Sequence, residues 1–293
     1  MKAYDVQNSN VYGDMILIWT PIFPLLCSGF GIAALVSGYL IAVLNDHEEA
    51  WLPLISEGGS IAPESCVFGT LLNLAAFFWW ITCFCVHFQL IQHIQIYRSR
   101  RSKLRFLFMF MLIAGLFSGL GLILVGNFQL STVRAVHGKG ATGGFFGGMV
   151  YAWSYVVLLM LLRPRWIPKW LLAVRVLMVT IVSCAVILHE VSMRAPVFVA
   201  RREDGSLPPK PDTPENGILR LKPSDPYYNN RIIACIAEWT LGIGYFLIIA
   251  TIAMDLRWFR IDTHDESVAK KDGGKIVPIM VDEDRGSVEQ FKF

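Results

Sequence analysis

The chain has 293 residues, of which 54% are hydrophobic and only 17% are charged, and its formal net charge is +3. Charged residues make up about 25% of an ordinary soluble domain, so this composition excludes a chain built mainly of soluble domains. The charge is small and no basic run is interleaved with aromatic residues, which argues against nucleic acid as a partner.

Six apolar segments occupy most of the length, and each supplies about the 20 apolar residues that a helix needs to cross a membrane. In chain order they are Met15–Leu44, Val67–Ile94, Leu104–Val125, Phe145–Leu162, Trp170–Leu188 and Ile232–Leu256. We therefore predict an all-α, polytopic membrane protein with one six-helix domain over residues 15–256. The predicted flanks are a short N-terminal segment, 1–14, and a charged, flexible C-terminal segment, 257–293.

The distribution of Lys and Arg predicts how these helices are oriented. The connection after the second segment is basic and contains Arg98, Arg100, Arg101, Lys103 and Arg105. The connection after the first segment, 45–66, has no Lys or Arg and five acidic residues. The positive-inside rule then places both termini in the cytosol. The Pro-rich loop 191–231 disagrees, because it carries seven basic residues and yet must lie outside if there are six spans.

The basic connection, 98–105, has two interpretations. Basic residues beside an anionic leaflet contribute about 1 kcal/mol each, so contact with anionic inner-leaflet lipids, such as phosphoinositides, is one expectation. The other is that these charges only set topology. We also expect any cytosolic protein partner to bind the C-terminal segment.

Polar residues within the apolar segments are the candidate site. Glu238 lies near the outer end of the last segment, and Asn73, Asn127 and His189 are expected at a similar depth. A buried carboxylate must face the bundle interior and find a partner. This cluster is therefore either a lipid-headgroup or proton site, or a hydrogen-bonded network that fixes helix register. Arg175 is expected to extend to the cytosolic interface instead.

Metal and cofactor chemistry is not predicted. His87 and His93 are six residues apart on one predicted helix, so they project in different directions, and no Cys or carboxylate nearby completes a ligand set. No phosphate-binding loop, nucleophile elbow or zinc-protease motif is present. Closely spaced glycines, such as Gly115 and Gly119 or Gly144 and Gly148, favour close helix packing, either within one bundle or across a dimer.

The segment Pro53–Asn73 resembles the signature of the Frag/DRAM/Sfk superfamily, whose members share a CWH-type N-terminal domain. The matching positions are Ile55, Ser56, Glu57, Gly58, Pro63, Glu64, Phe68 and Asn73, followed by Asn127, Gln129, His137, Glu238 and Trp239. The superfamily includes the damage-regulated autophagy modulators, the transmembrane-150 proteins and a branch that remodels the lipid of GPI anchors. The resemblance implies six helices, cytosolic termini, and location in endolysosomal or plasma membranes.

Three functions remain open. The resemblance favours a non-enzymatic regulator of autophagy or phosphoinositide signalling. A lipid-remodelling enzyme of the GPI type would instead need Glu238, His137 or His189 for acid–base work. A transporter is disfavoured, because few polar residues line the spans. The loop Glu57–Glu64 has two interpretations. Gly58 and Pro63 indicate a turn-rich loop with a purely structural role, in which Glu64 caps the second helix. Alternatively, Glu57, Glu64, His137 and Glu238 converge on a lipid headgroup.

Overall fold

A computed structural model describes residues 18–97, 103–162, 167–212, 219–257 and 260–261. Its helices are α1 (Ile22–Leu44), α2 (Glu64–Tyr97), α3 (Leu104–Asn127), α4 (Arg134–Leu161), α5 (Lys169–Arg194) and α6 (Tyr228–Leu256). All six are long and apolar enough to cross a membrane. The prediction of an all-α polytopic fold is confirmed. The orientation of the termini stays a prediction, and segment 1–14 lies outside the described residues.

The helices form a closed ring in chain order. Each packs against the next, α6 returns to pack against α1, and contacts across the middle are few. We call the end that carries residues 45–63 the lid end, since this segment, the lid loop, folds over it. α2, α4 and α6 begin at the lid end, and α1, α3 and α5 begin at the opposite end. A short antiparallel pair of two-residue strands, β1 (Ile18–Trp19) and β2 (Arg260–Ile261), joins the segment before α1 to the segment after α6 at that opposite end.

The largest differences between the helices and the predicted apolar segments are at the starts of α1 and α4. α1 begins only at Ile22, directly after Pro21, and Pro24 lies in its first turn, where backbone N–H groups have no acceptor within the helix. α4 begins 11 residues before the apolar segment, at Arg134 rather than Phe145. Its glycine-rich start is helical because it packs closely on α3: a Cβ built on Gly121 would lie 2.5 Å from the Cα of Gly144. These glycines therefore serve packing within the bundle.

The Pro-rich loop is shorter than expected, because α5 continues to Arg194 and α6 begins at Tyr228. Its described residues, 195–212 and 219–227, contain no helix or strand. They contact each other and the helix ends: the N–H of Ala200 donates to the carbonyl of Pro226 at 3.0 Å, and Asn230 donates from its amide to the carbonyl of Ser192 at 2.7 Å.

Candidate functional site

The lid loop is fastened to the helix ring by hydrogen bonds to its backbone. Tyr39 donates its hydroxyl to the carbonyl of Ala50 at 2.8 Å, and the indole of Trp239 donates to the carbonyl of Pro53 at 2.9 Å. Gly58 lies against α1 so closely that a Cβ there would be 3.2 Å from the Cα of Tyr39. A side chain at residue 58 would press against the backbone of α1, so glycine permits this close approach.

Glu238 makes a further, buried contact with the backbone of the lid loop. It is only 6% exposed, and its Oε2 accepts the backbone N–H of Ile55 at 2.8 Å. The hydroxyl of Ser56 and the imidazole of His189 are its other close polar neighbours. The carboxylate has therefore found the partner that its burial requires, and that partner is the lid loop.

A second set of contacts joins the lid loop to the start of α6. Arg231 donates two hydrogen bonds to the carboxylate of Glu57, at 3.1 and 2.7 Å, in the bidentate geometry that suits guanidinium. Glu48 lies nearby and is only 5% exposed. Burial raises the pKa of the Glu48 carboxyl to about 7, and the negative charge of Glu57 adds to this, while Arg231 and the N–H of Glu49 oppose it.

Glu64 belongs to a third set. It is the first residue of α2 and is fully buried, and its Oε1 lies 2.7 Å from Nδ1 of His47. Its Oε2 is buried and has no hydrogen-bond partner among the described residues. The side-chain contact of Glu64 is thus with His47 of the lid loop.

Asn73 and Asn127 pair with each other. Their side-chain amides exchange two hydrogen bonds, at 3.1 and 2.8 Å, and so join α2 to α3 near the lid end. This pairing places the two residues at the same level of the bundle.

His137 lies on α4, buried, with its Nδ1 donating to the carbonyl of Phe128 at 2.8 Å. It lines the same interior cavity as Ser56 and Glu238. The structure thus brings His137 and Glu238 to one cavity. Glu57 and Glu64 instead engage Arg231 and His47.

The prediction for Arg175 is wrong. It was expected to reach the cytosolic interface, but it is 1% exposed and donates to both carboxylate oxygens of Asp255, at 2.6 and 3.0 Å. It also donates to the hydroxyl and the carbonyl of Thr251, at 2.9 and 2.6 Å. The hydroxyl of Tyr155 donates to Asp255, and its ring lies 5.6 Å from the guanidinium carbon. The sequence did contain a signal for this pairing. Arg175 and Asp255 are opposite charges in two different apolar segments, and the predicted topology places them at the same end of the bundle.

The basic connection is only partly described. Lys103 is exposed just before α3, and Arg105 is half-buried in its first turn. Arg98, Arg100 and Arg101 lie outside the described residues, as does almost all of the C-terminal segment. Among the described residues no group of His, Cys, Asp and Glu side chains is arranged to hold a metal ion.

Comparison with known proteins agrees with this architecture. The model of the Frag1/DRAM/Sfk1/Cwh43P N-terminal domain family matches residues 19–259, which include all six helices. DNA damage-regulated autophagy modulator protein 2 of Bos taurus is 28% identical over 259 residues, covering 86% of this chain and 85% of its own length. DNA damage-regulated autophagy modulator protein 1 of Homo sapiens is 25% identical over 234 residues, covering 80% and 90%.

A third relative carries a different name. Modulator of macroautophagy TMEM150B of Danio rerio is 27% identical over 257 residues, covering 85% of this chain and 90% of its own length. No solved structure matches this chain. Because the family model spans most of its length, this chain belongs to the Frag1/DRAM/Sfk1/Cwh43P N-terminal domain family.

Proposed function

We propose that this protein is a non-enzymatic, multi-pass membrane regulator of autophagy. The observation that carries the proposal is the extent of the similarity. Relatives named as modulators of autophagy or macroautophagy match 80% to 86% of this chain, and 85% to 90% of their own length. The family model matches residues 19–259, so the part shared with the family includes all six helices.

The contacts of the polar residues support a role without catalysis. Glu238 accepts from a backbone N–H of the lid loop, and His137 donates to a backbone carbonyl. A general acid or base must be free to exchange a proton with a substrate, whereas these side chains hold two segments of the protein together. They are therefore better suited to fixing the lid loop than to acid–base chemistry.

The second part of the proposal concerns the membrane in which the protein lies and the lipids and protein that it binds. We place the protein in endolysosomal or plasma membranes, with the basic connection facing anionic lipids, phosphoinositides among them, and the C-terminal segment free to bind a cytosolic protein. The exposed position of Lys103 beside α3 supports the lipid contact. If it occurs, Lys103→Gln and Arg105→Gln together should weaken binding to vesicles that contain a phosphoinositide, but leave binding to neutral vesicles unchanged.

The test of the main proposal is rescue of cells that lack this protein. Autophagic flux is measured as the increase in a lipidated autophagosome marker when lysosomal degradation is blocked, and whole-cell lipids are profiled in parallel. Wild type and Glu238→Gln, at matched expression, should both restore flux, because glutamine keeps the acceptor for Ile55. Glu190→Gln, on α5 near the same end, is the matched control.

A different result would favour the lipid-remodelling alternative. If wild type restores a specific acyl-chain change that Glu238→Gln does not, although both proteins are folded, the carboxylate acts as an acid or base and the non-enzymatic proposal is wrong. If neither flux nor lipid composition changes when the protein is removed, a role in autophagy is wrong as well.

A further inference from the structure

The ring of helices encloses a cavity of about 110 Å³. At the lid end it is bounded by Ile55 and Glu238, and at the opposite end by Arg175 and Ile252. Glu238 and Ile252 are 14 residues apart on α6. At a rise of 1.5 Å per residue, the cavity therefore extends over about 21 Å along this helix. A small volume spread over this length makes the cavity narrow and roughly parallel to the helices.

The wall of the cavity offers apolar contact area. It is formed mainly by aliphatic, aromatic and glycine residues from the six helices. Most polar side chains in it bond to other parts of the protein: Ser118 donates to the carbonyl of Gly144 at 3.0 Å, Tyr245 to the carbonyl of Phe145, and Arg175 to Asp255. The hydroxyl of Tyr151 is an exception, because it is buried in the wall and has no hydrogen-bond partner among the described residues. A buried water needs two to four polar partners, so this wall favours an apolar occupant.

We propose that the cavity binds a single alkyl chain, the fatty acyl chain of either a free fatty acid or a membrane phospholipid. One leaflet contributes about half of the ~30 Å hydrocarbon core, roughly 15 Å, so a straight chain that spans one leaflet fits within the length of the cavity. A sterol, with its broad fused rings, is the competing apolar ligand that the experiment has to distinguish from an alkyl chain. Such a chain would be a ligand whatever the role of the protein in autophagy.

The route of entry is the seam between α4 and α5. This is the least extensive contact between neighbouring helices of the ring. Among the described residues three side-chain hydrogen bonds cross it: Trp153 to Ser183 and Thr142 to Glu190, both at 3.0 Å, and Arg194 to Thr142 at 2.9 Å. Because the lid loop covers one end of the ring, a chain that comes from the bilayer enters sideways, through this seam.

Two adjacent valines of α4 provide a matched pair of variants. Val156 lines the cavity and is 2% exposed, whereas Val157 is 42% exposed on the outer face of the ring. Val156→Phe adds an aromatic ring inside the cavity. Val157→Phe adds the same ring where lipid surrounds the bundle, so it controls for the larger side chain.

The experiment uses the full-length protein in phosphatidylcholine vesicles and a diazirine-bearing palmitic acid as probe. In one arm the probe is a free fatty acid, and in the other it is esterified in phosphatidylcholine. The form of the probe that crosslinks to the cavity identifies the source of the chain. After irradiation, mass spectrometry locates the crosslinks. We expect crosslinks on cavity-lining residues of α4 and α6, reduced about tenfold or more by Val156→Phe and unchanged by Val157→Phe.

Labelling confined to outward-facing residues, or reduced equally by both variants, would overturn the proposal. If Val156→Phe does not fold, as judged by gel filtration and melting, competition on the wild type decides instead. Excess unlabelled palmitate must then reduce crosslinks inside the cavity and leave those on the outer face unchanged. Displacement by cholesterol but not by palmitate would show that the ligand is a sterol, and the proposal would be wrong.

Discussion

The carboxylate of Glu238 accepts the backbone N–H of Ile55 at 2.8 Å, across 183 residues of sequence. This bond joins the last helix to the lid loop and places Ile55 over the end of the interior cavity. Two side chains on α6, Arg231 and Trp239, bind the same loop. The last helix therefore helps to hold the lid loop in position, together with Tyr39 of α1 and Glu64 of α2.

The first prediction concerns the acceptor at residue 238. Glu238→Gln keeps an oxygen for the N–H of Ile55 and should lower the free energy of unfolding by less than about 1 kcal/mol. Glu238→Ala leaves that buried N–H unpaired and should cost about 1–3 kcal/mol. Melting in detergent, with limited proteolysis of the lid loop, measures both effects. Equal loss in the two variants would show that the hydrogen bond does not matter.

The second prediction concerns the buried pair of Arg175 and Asp255. Arg175→Leu leaves an unpaired carboxylate in the bundle and should cost about 3–5 kcal/mol, whereas the double variant with Asp255→Leu should regain much of the loss. Arg194→Leu, which breaks the more exposed pair with Glu190, should cost about 1 kcal/mol or less. A double-mutant cycle measured by melting tests this. Additive losses from the two leucine substitutions would contradict it.

The third prediction is a dependence of stability on pH. Burial raises the pKa of Glu48 to about 7 from its ordinary value of 4.5, so between these values the folded protein binds a proton that the unfolded chain releases. The stability that this carboxyl contributes is full below pH 4.5 and is lost as the pH rises through 7. We expect a melting temperature about 2–4 °C higher at pH 5.5 than at pH 7.5.

Glu48→Gln should reduce this dependence, because glutamine does not ionise. Asp46→Asn is the control from the same loop: residue 46 is exposed and has a positive φ of 59°, which asparagine tolerates. If Asp46→Asn changes the pH profile as much as Glu48→Gln does, the effect does not arise from Glu48.

The fourth prediction tests the contact between α3 and α4. A Cβ on Gly121 would lie 2.5 Å from the Cα of Gly144 and 2.7 Å from the carbonyl oxygen of Gly140. Gly121→Ala should therefore force the helices apart and cost about 1–3 kcal/mol. Gly138→Ala, also on α4, meets nothing within 4 Å and should stabilise by about 0.5–1 kcal/mol. Melting of the two proteins in the same detergent decides, and a stable Gly121→Ala would contradict the close packing.

The sequence alone determined the six helices and the family, because both depend on local information. An apolar segment of about 20 residues must satisfy its backbone within itself when it crosses a membrane, and a helix does so. The lid-loop motif around Glu57, Gly58 and Glu64 likewise lies in one stretch of chain. Even here, the start of α4 at Arg134 was missed, because its glycines are helical only through their contact with α3.

Which polar groups meet depends on the tertiary structure and could not be read from the sequence. A charge in an apolar segment has the same sequence signature whether it turns toward water or toward a partner on another helix. The position predicted for Arg175 is therefore wrong, because its partner Asp255 lies 80 residues away along the chain. The same holds for Glu57 with Arg231 and for the cavity itself, because pairing and enclosure depend on how α6 returns to α1 and closes the ring.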